Sequence, residues 1–143
     1  ATLSMGTLIT KPEFGVISLL ESSLVPLFAT LSPLLVVIIF VLWAGFQTNV
    51  SSNLVTVSVV TTVLTTVYAT GSIEVQAGTI ACLIGFMASL AFMTPPSMPY
   101  VAISVGSGWT NAKDAFLYGG VLFLLSAISA VAIGYPLGVF FGI

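Results

Sequence analysis

LLVVIIFVLWAGF (residues 34–46) is uniformly apolar, QTNVSSN (47–53) is polar without a charge, and LVTVSVVTTVLTTVYA (54–69) resumes the apolar text. Thirteen helical residues rise roughly 20 Å, short of the ~30 Å hydrocarbon core of a bilayer. Two short apolar arms around a polar, chargeless tip have the sequence form of a re-entrant helical hairpin. Irregular backbone at membrane depth is tolerated only where protein buries it or where it lines a cavity. The tip is therefore a site or an extramembrane loop, and the arm lengths argue for the site. The Val and Thr of the second arm suggest strand in isolation. A lone strand in lipid leaves its backbone unpaired, and a barrel needs many ~10-residue alternating segments, a series that this chain lacks. The expectation is helix.

Composition places these arms in a membrane. Of 143 residues, 58% are apolar and 4% are charged, against about a quarter charged in a soluble domain. The charges are Lys11, Glu13, Glu21, Glu74, Lys113 and Asp114. Charge-free runs extend over residues 22–73, 75–112 and 115–143. Such a chain cannot cover itself in water, which excludes a soluble enzyme, a basic nucleic-acid binder and a disordered tail. It predicts an all-α integral membrane protein, multi-pass in the cell membrane, with no enzymatic activity and no nucleic-acid partner. Histidine and arginine are absent, so an imidazole base and a guanidinium clamp are excluded. Cys82 lies alone in an apolar run and permits no intrachain disulfide. The N-terminus shows no secretory leader, and its abrupt apolar opening predicts the C-terminal part of a longer protein.

Outward from residues 34–69, residues 1–10 read as the end of a helix, stopped by Lys11-Pro12-Glu13. Residues 14–31 suit either an amphipathic helix in the interface or an ordinary connecting segment. QAGTIACLIGFMASLAF (76–92) reads as a helix with small residues at Gly78, Ala81, Gly85, Ala88 and Ala91 for close packing. Met93-Thr94-Pro95-Pro96-Ser97-Met98-Pro99 cuts it, because three prolines in five residues cannot continue a helix. Apolar text resumes over 100–108, so 76–108 reads as one broken helix. Asn111 to Asp114 reads as an interfacial turn and Glu74 as a solvated one. Residues 115–141 are long enough to cross alone, with a packing stripe at Ser126, Ala130, Gly134 and Gly138 and a kink expected at Pro136. Asn49-Val50-Ser51 matches the N-glycosylation sequon, a match of little weight at a hairpin tip.

A broken helix exposes amides at the start of its second half and carbonyls at the end of its first. Amides favour anions and carbonyls favour cations. The arm starting near Leu54 offers amides beside Ser51 and Ser52, and the arm starting near Pro99 offers a second set beside Thr94 and Ser97. Arms ending near Gln47 and Phe92 offer carbonyls, supplemented by Thr48 and Asn53. Neutral oxygens alone suit a hard cation such as sodium rather than zinc or copper. Paired half-helices of this kind mark substrate and ion sites in secondary transporters.

Thr48-x-x-Ser51-Ser52-Asn53-Leu54 resembles the second Ser-Asn-Thr signature of the divalent anion–sodium symporter family. Ser89-Leu90-Ala91-Phe92-Met93-Thr94-Pro95-Pro96 resembles that family's Ala-Thr-Pro-Pro-Asn loop. Gly106-Ser107-Gly108 and Lys113-Asp114 fit its closing segment. The resemblance covers essentially all 143 residues and corresponds to the family's C-terminal repeat. It implies one half of an elevator-type symporter of dicarboxylates, tricarboxylates or sulfate, sodium-driven and homodimeric, with an N-terminal half as its partner. Residues 14–31 would be the arm that links moving domain to scaffold. Matching positions imply a sodium site from Thr48, Ser51, Asn53 and the Met93 carbonyl, and substrate contacts from Ser52, Asn53, Thr94 and Pro95. Leu54 stands where the signature has threonine, Ser97 where the loop has asparagine, and Met93 where a small residue is usual.

The expectation is thus sodium-coupled transport of a small divalent anion across the lipid bilayer. Its competitors are proton-coupled or exchange transport of the same anions, and a non-transporting membrane subunit whose breaks accommodate partner helices. A third is a half-size protein acting as an antiparallel pair.

Overall fold

The computed structural model describes residues 22, 26, 28, 30–71 and 75–143. Among them every regular element is helical: α1 (Pro33–Val50), α2 (Asn53–Ala69), α3 (Ala77–Ala88), α4 (Pro99–Gly106), α5 (Ala112–Ser129) and α6 (Tyr135–Phe141). A five-residue π turn, Ala130–Gly134, joins α5 and α6 into one rod of 30 residues. The expected helix end at 1–10 and Glu74 lie outside the described residues. So does the expected interfacial arm at 14–31, apart from Ser22, Pro26, Phe28 and the residues from Thr30 onward.

Helix wins over strand in the Val/Thr-rich arm, and the hydroxyls show how. Thr62 donates to the Ser58 carbonyl at 2.7 Å, Thr66 to the Thr62 carbonyl at 2.9 Å, and Thr61 to the Val57 carbonyl. Each polar group is absorbed by the turn before it, so the arm needs no external partner.

The first arm is longer than its apolar run. Ser32 is extended and Pro33 opens α1 where its missing N–H costs nothing. The helix then continues through Gln47, Thr48, Asn49 and Val50 for 18 residues, about 27 Å. It does so because Asn49 donates to the Gly45 carbonyl at 2.7 Å, one turn back. The polar tip thereby shrinks from seven residues to Ser51 and Ser52, both extended. Two stretches are long and apolar enough to cross a membrane, Pro33–Val50 and Ala112–Phe141.

The broken helix also shifts. Its first half ends at Ala88 rather than Phe92, with the Ser89 N–H and hydroxyl both turned back onto the last carbonyls. The irregular stretch runs from Ser89 to Met98, and Pro99 opens the eight-residue α4.

α3 packs against both arms of the hairpin. Val37, Phe40, Val41 and Ala44 of α1, Val60, Leu64 and Val67 of α2, and Ile80, Ile84 and Met87 of α3 make one fully enclosed core. Phe28 extends it by stacking on Phe40 at 5.4 Å. Of the small residues expected to pack α3, Ala88 and Ala91 are buried, whereas Gly85 faces open space.

The expected stripe on the terminal rod does face the core: Ala130 and Gly138 are buried, with Ala127, and Ser126 and Gly134 are half-buried. A Cβ at Gly134 would meet Leu83 at 2.7 Å, and one at Gly138 would meet the Thr79 hydroxyl at 2.7 Å. Residues four apart drift roughly 40° per step on an α-helix, enough to rotate Gly138 off the face. The π turn absorbs the extra residue and keeps the stripe in register. It also places the wide turn where Pro136 has no N–H for the Ala132 carbonyl. The rod therefore runs through Pro136 to Phe141.

Candidate site at the paired helix breaks

The fold brings the two breaks against each other through four side-chain ties. Thr48, fully buried near the end of α1, places its hydroxyl 2.7 Å from the Ala88 carbonyl at the end of α3. The same hydroxyl lies 2.7 Å from Asn53 Oδ1 at the start of α2. Asn49, 2% exposed, accepts from the Met93 N–H at 2.8 Å, and its backbone carbonyl accepts from the Thr94 hydroxyl. Asn53 Nδ2 points to Met98 Sδ at 3.9 Å. Tip and proline-rich loop are one structural unit.

Electrostatically the junction is rich in oxygen. Thr48 Oγ1, Asn53 Oδ1 and the Ala88 carbonyl converge with a single hydroxyl proton among them. One proton satisfies one acceptor at a time, which leaves lone pairs facing each other. The Asn53 amide is held with its oxygen inward by the contact of its nitrogen with Met98. Three inward neutral oxygens have the donor chemistry of a hard monovalent or divalent cation. Among the described residues no group of His, Cys, Asp and Glu could hold a metal.

Beside the oxygens lie helix-start amides. Ser52 caps α2 by accepting from the Val55 N–H at 3.3 Å, and the Thr56 N–H returns to the Ser52 carbonyl at 3.0 Å. The amides of Asn53 and Leu54 come before Thr56, the first N–H to reach a helical carbonyl, and have no partner among the described residues. The start of α4 is poorer. Val101 and Ala102 both donate to the Met98 carbonyl, and Pro99 has no N–H, so only the Tyr100 amide remains.

The sequence-expected residues divide accordingly. Thr48 and Asn53 meet. Ser51 turns to the Gln47 carbonyl at 3.1 Å and to the Thr56 hydroxyl at 3.2 Å. Met93 is tied through its N–H. Ser52 is exposed at the cap, Thr94 is fixed to Asn49, and Pro95 is half-buried in the loop. Ser97 donates to the Thr94 carbonyl at 2.5 Å, bracing the loop from within. Leu54 is 69% exposed, so the position where a threonine was expected faces outward from this half.

Three participants escaped sequence reasoning. Asn49 reads from the sequence as a tip residue and a sequon match rather than as a buried tie, and its burial removes it from glycosylation. The Ala88 carbonyl and the buried Thr56 are the others. For Asn49 a signal existed, since it neighbours Thr48 on a helix whose inward face carries Val37, Phe40, Val41 and Ala44.

The fold and junction together define an all-helical protein with two helices apolar and long enough to cross a membrane, interrupted by two adjoining breaks. No protein-family model matches the chain, and no curated protein sequence does.

Proposed function

We propose that the chain is a multi-pass membrane transport module that moves a small divalent anion, a di- or tricarboxylate or sulfate, together with sodium. The observation that carries this reading is the oxygen cluster of Thr48, Asn53 and Ala88 set beside the free amides of Asn53 and Leu54. Asn53 belongs to both, its side chain facing the cation position and its backbone the anion position.

The order of binding follows from charge. Lys113 is the one basic side chain among the described residues, and it stands at the start of α5 rather than at the breaks. Without a guanidinium or ammonium at the site, anion affinity rests on helix-start dipoles worth roughly 0.3–1 kcal/mol each. A cation held first by the inward oxygens adds a full positive charge next to those amides. The anion then closes the site, and the loaded half moves relative to a scaffold, with an N-terminal half and a second copy as partners. A cation of this kind takes about six oxygens, so the remainder come from carbonyls, water or the partner half.

The test is uptake of radiolabelled succinate, citrate and sulfate by the full-length natural protein in proteoliposomes. Sodium gradients are expected to drive uptake of at least one of them, and choline substitution to abolish it. Thr48→Val, which removes the shared hydroxyl and keeps the shape, is expected to eliminate sodium stimulation, while Thr48→Ser retains it. Equal uptake in choline refutes sodium coupling, and a proton gradient that replaces sodium favours the proton-coupled alternative.

A second reading is favoured by one observation: among the described residues every buried side-chain polar atom has a hydrogen-bond partner. That is the pattern of a structural clip in a non-transporting subunit. Unchanged transport by folded Asn53→Ala and Thr94→Ala proteins would favour the clip.

A further inference from the structure

A cleft of about 320 Å³ opens between α4 and α5, on the outer side of the proline-rich break, whose Phe92 lines it. Its lining carries the rings of Phe92, Tyr100 and Tyr118 together with Asp114. Asp114 and Lys113 are the only charged side chains among the described residues, and only Asp114 lines the cleft. The carboxylate takes one hydrogen bond through Oδ2, from Asn111 Nδ2 at 2.8 Å. Its Oδ1 has no partner among the described residues. Phe92 and Tyr100 stand 6.1 Å apart with planes tilted by 45°, and the Tyr100 hydroxyl is held by the Ala91 carbonyl at 3.2 Å.

Ser104 and Thr110, which also line the cleft, pair their hydroxyls with each other at 3.1 Å, so a single carboxylate in a mainly aromatic and apolar lining is complementary to an organic ammonium group. The carboxylate supplies the counter-charge and the ring faces attract the alkylated cation. Position identifies the carrier. Asp114 lies in the first turn of the 30-residue apolar rod, where such a helix would enter the bilayer. Trp109, 91% exposed, and Tyr118, 67% exposed, flank it as interfacial aromatics do. From Asp114 the lining continues to Leu122, eight residues or roughly 12 Å deeper along the helix. A soluble amine would leave that apolar floor bare, whereas an acyl chain covers it.

We propose that this cleft seats a zwitterionic phospholipid, its ammonium against Asp114, Tyr100 and Tyr118 and an acyl chain along Leu122. The inference rests on the membrane reading above and is independent of transport. Asp114 stands at a helix start, whose amides partly offset its charge, so the headgroup preference is expected to be severalfold rather than orders of magnitude.

Native mass spectrometry of the full-length protein, released from detergent with defined lipids, reads the occupancy. Phosphatidylethanolamine is expected to be retained about three to five times more than phosphatidylglycerol of identical acyl chains. Asp114→Asn is expected to abolish the preference. Tyr118→Leu, at an exposed position that leaves the Asn111 cap intact, is expected to reduce it about twofold. Equal retention of both lipids, or a preference that survives in D114N, overturns the proposal. Displacement of the lipid by millimolar free ethanolamine overturns the assignment to phospholipid and leaves a small-ammonium site. Because the readout is headgroup selectivity, loss of anion uptake with selectivity intact disproves transport alone. A protein that remains in water without detergent disproves the membrane reading itself.

Discussion

Gly119→Ala tests whether the α5 rod positions the proline-rich break. Gly119 is buried where α5 crosses residues 92–93. A Cβ there would stand 2.7 Å from the Phe92 carbonyl carbon and 2.8 Å from Met93 Cα, and nearer still to the Phe92 oxygen. Ordinary contact begins near 3.4 Å, so backbone must yield by at least about 0.6–0.7 Å at the two carbons and further at the oxygen, and no flexible side-chain end is available to give way. Over-packing costs about 1–3 kcal/mol, and a clash with backbone belongs at the upper end. Replacing helical glycine by alanine recovers at most ~1 kcal/mol. The clash wins, by roughly 2 kcal/mol, or about 6 °C in midpoint for a chain of this size. The same displacement stretches the 2.8 Å bond from the Met93 N–H to Asn49 Oδ1 toward 3.5 Å, the edge of hydrogen bonding. Gly85→Ala is the internal control, since a Cβ there meets nothing within 4 Å and the change is expected to stabilise. The assay is thermal unfolding of both variants in one detergent, followed by amide hydrogen exchange over residues 89–98. A G119A protein as stable and as protected as the parent, or a G85A protein destabilised equally, would refute the reasoning.

Asn49→Ala removes the second donor to the Gly45 carbonyl, which keeps its helical N–H, and the only acceptor of the Met93 N–H among the described residues; a loss of about 1–3 kcal/mol is expected from the Met93 N–H left unpaired, seen as a lower unfolding midpoint. Asn111→Ala deletes the side chain that accepts from the Asp114 N–H at 2.8 Å. It is expected to cost about 1 kcal/mol and to raise exchange only over residues 112–115. Leu54→Thr adds a hydroxyl at an exposed helix start. Stability is expected to stay within about 0.5 kcal/mol, while anion affinity rises if the second half of the proposed site lies opposite; isothermal titration with sodium present measures it.

How far these properties were legible in the text varies from residue to residue. The breaks at Ser51–Ser52 and at Pro95, Pro96 and Pro99 were readable because proline and chargeless polar clusters act locally. The extent of each arm was not. Asn49 reads as tip, yet it is helical because a carbonyl one turn back and an amide 44 residues away share its side chain. The shortened α3 was hidden for the same reason: the Ala88 carbonyl ends that helix against Thr48, 40 residues earlier in the chain. Ser126, Ala130, Gly134 and Gly138 announced a stripe, but their strict spacing concealed the π turn needed to keep it facing α3.

By itself, then, the sequence pointed to an apolar solvent and announced the helix class. Six charges in 143 residues cannot cover a surface in water, and without a barrel series only helices satisfy their own backbone in lipid. It also marked the two stretches, 47–53 and 93–99, in which the chain must break, though not the last helical residue before either. Tertiary structure alone decided that the stops coincide, because the ties are made by single side chains reaching carbonyls and amides that carry no residue-type signal. It also decided which candidates meet. Thr48 and Asn53 converge on Ala88, whereas Ser51 is drawn off to Gln47 and Thr56, since a hydroxyl in a packed interior bonds to the nearest acceptor its backbone allows.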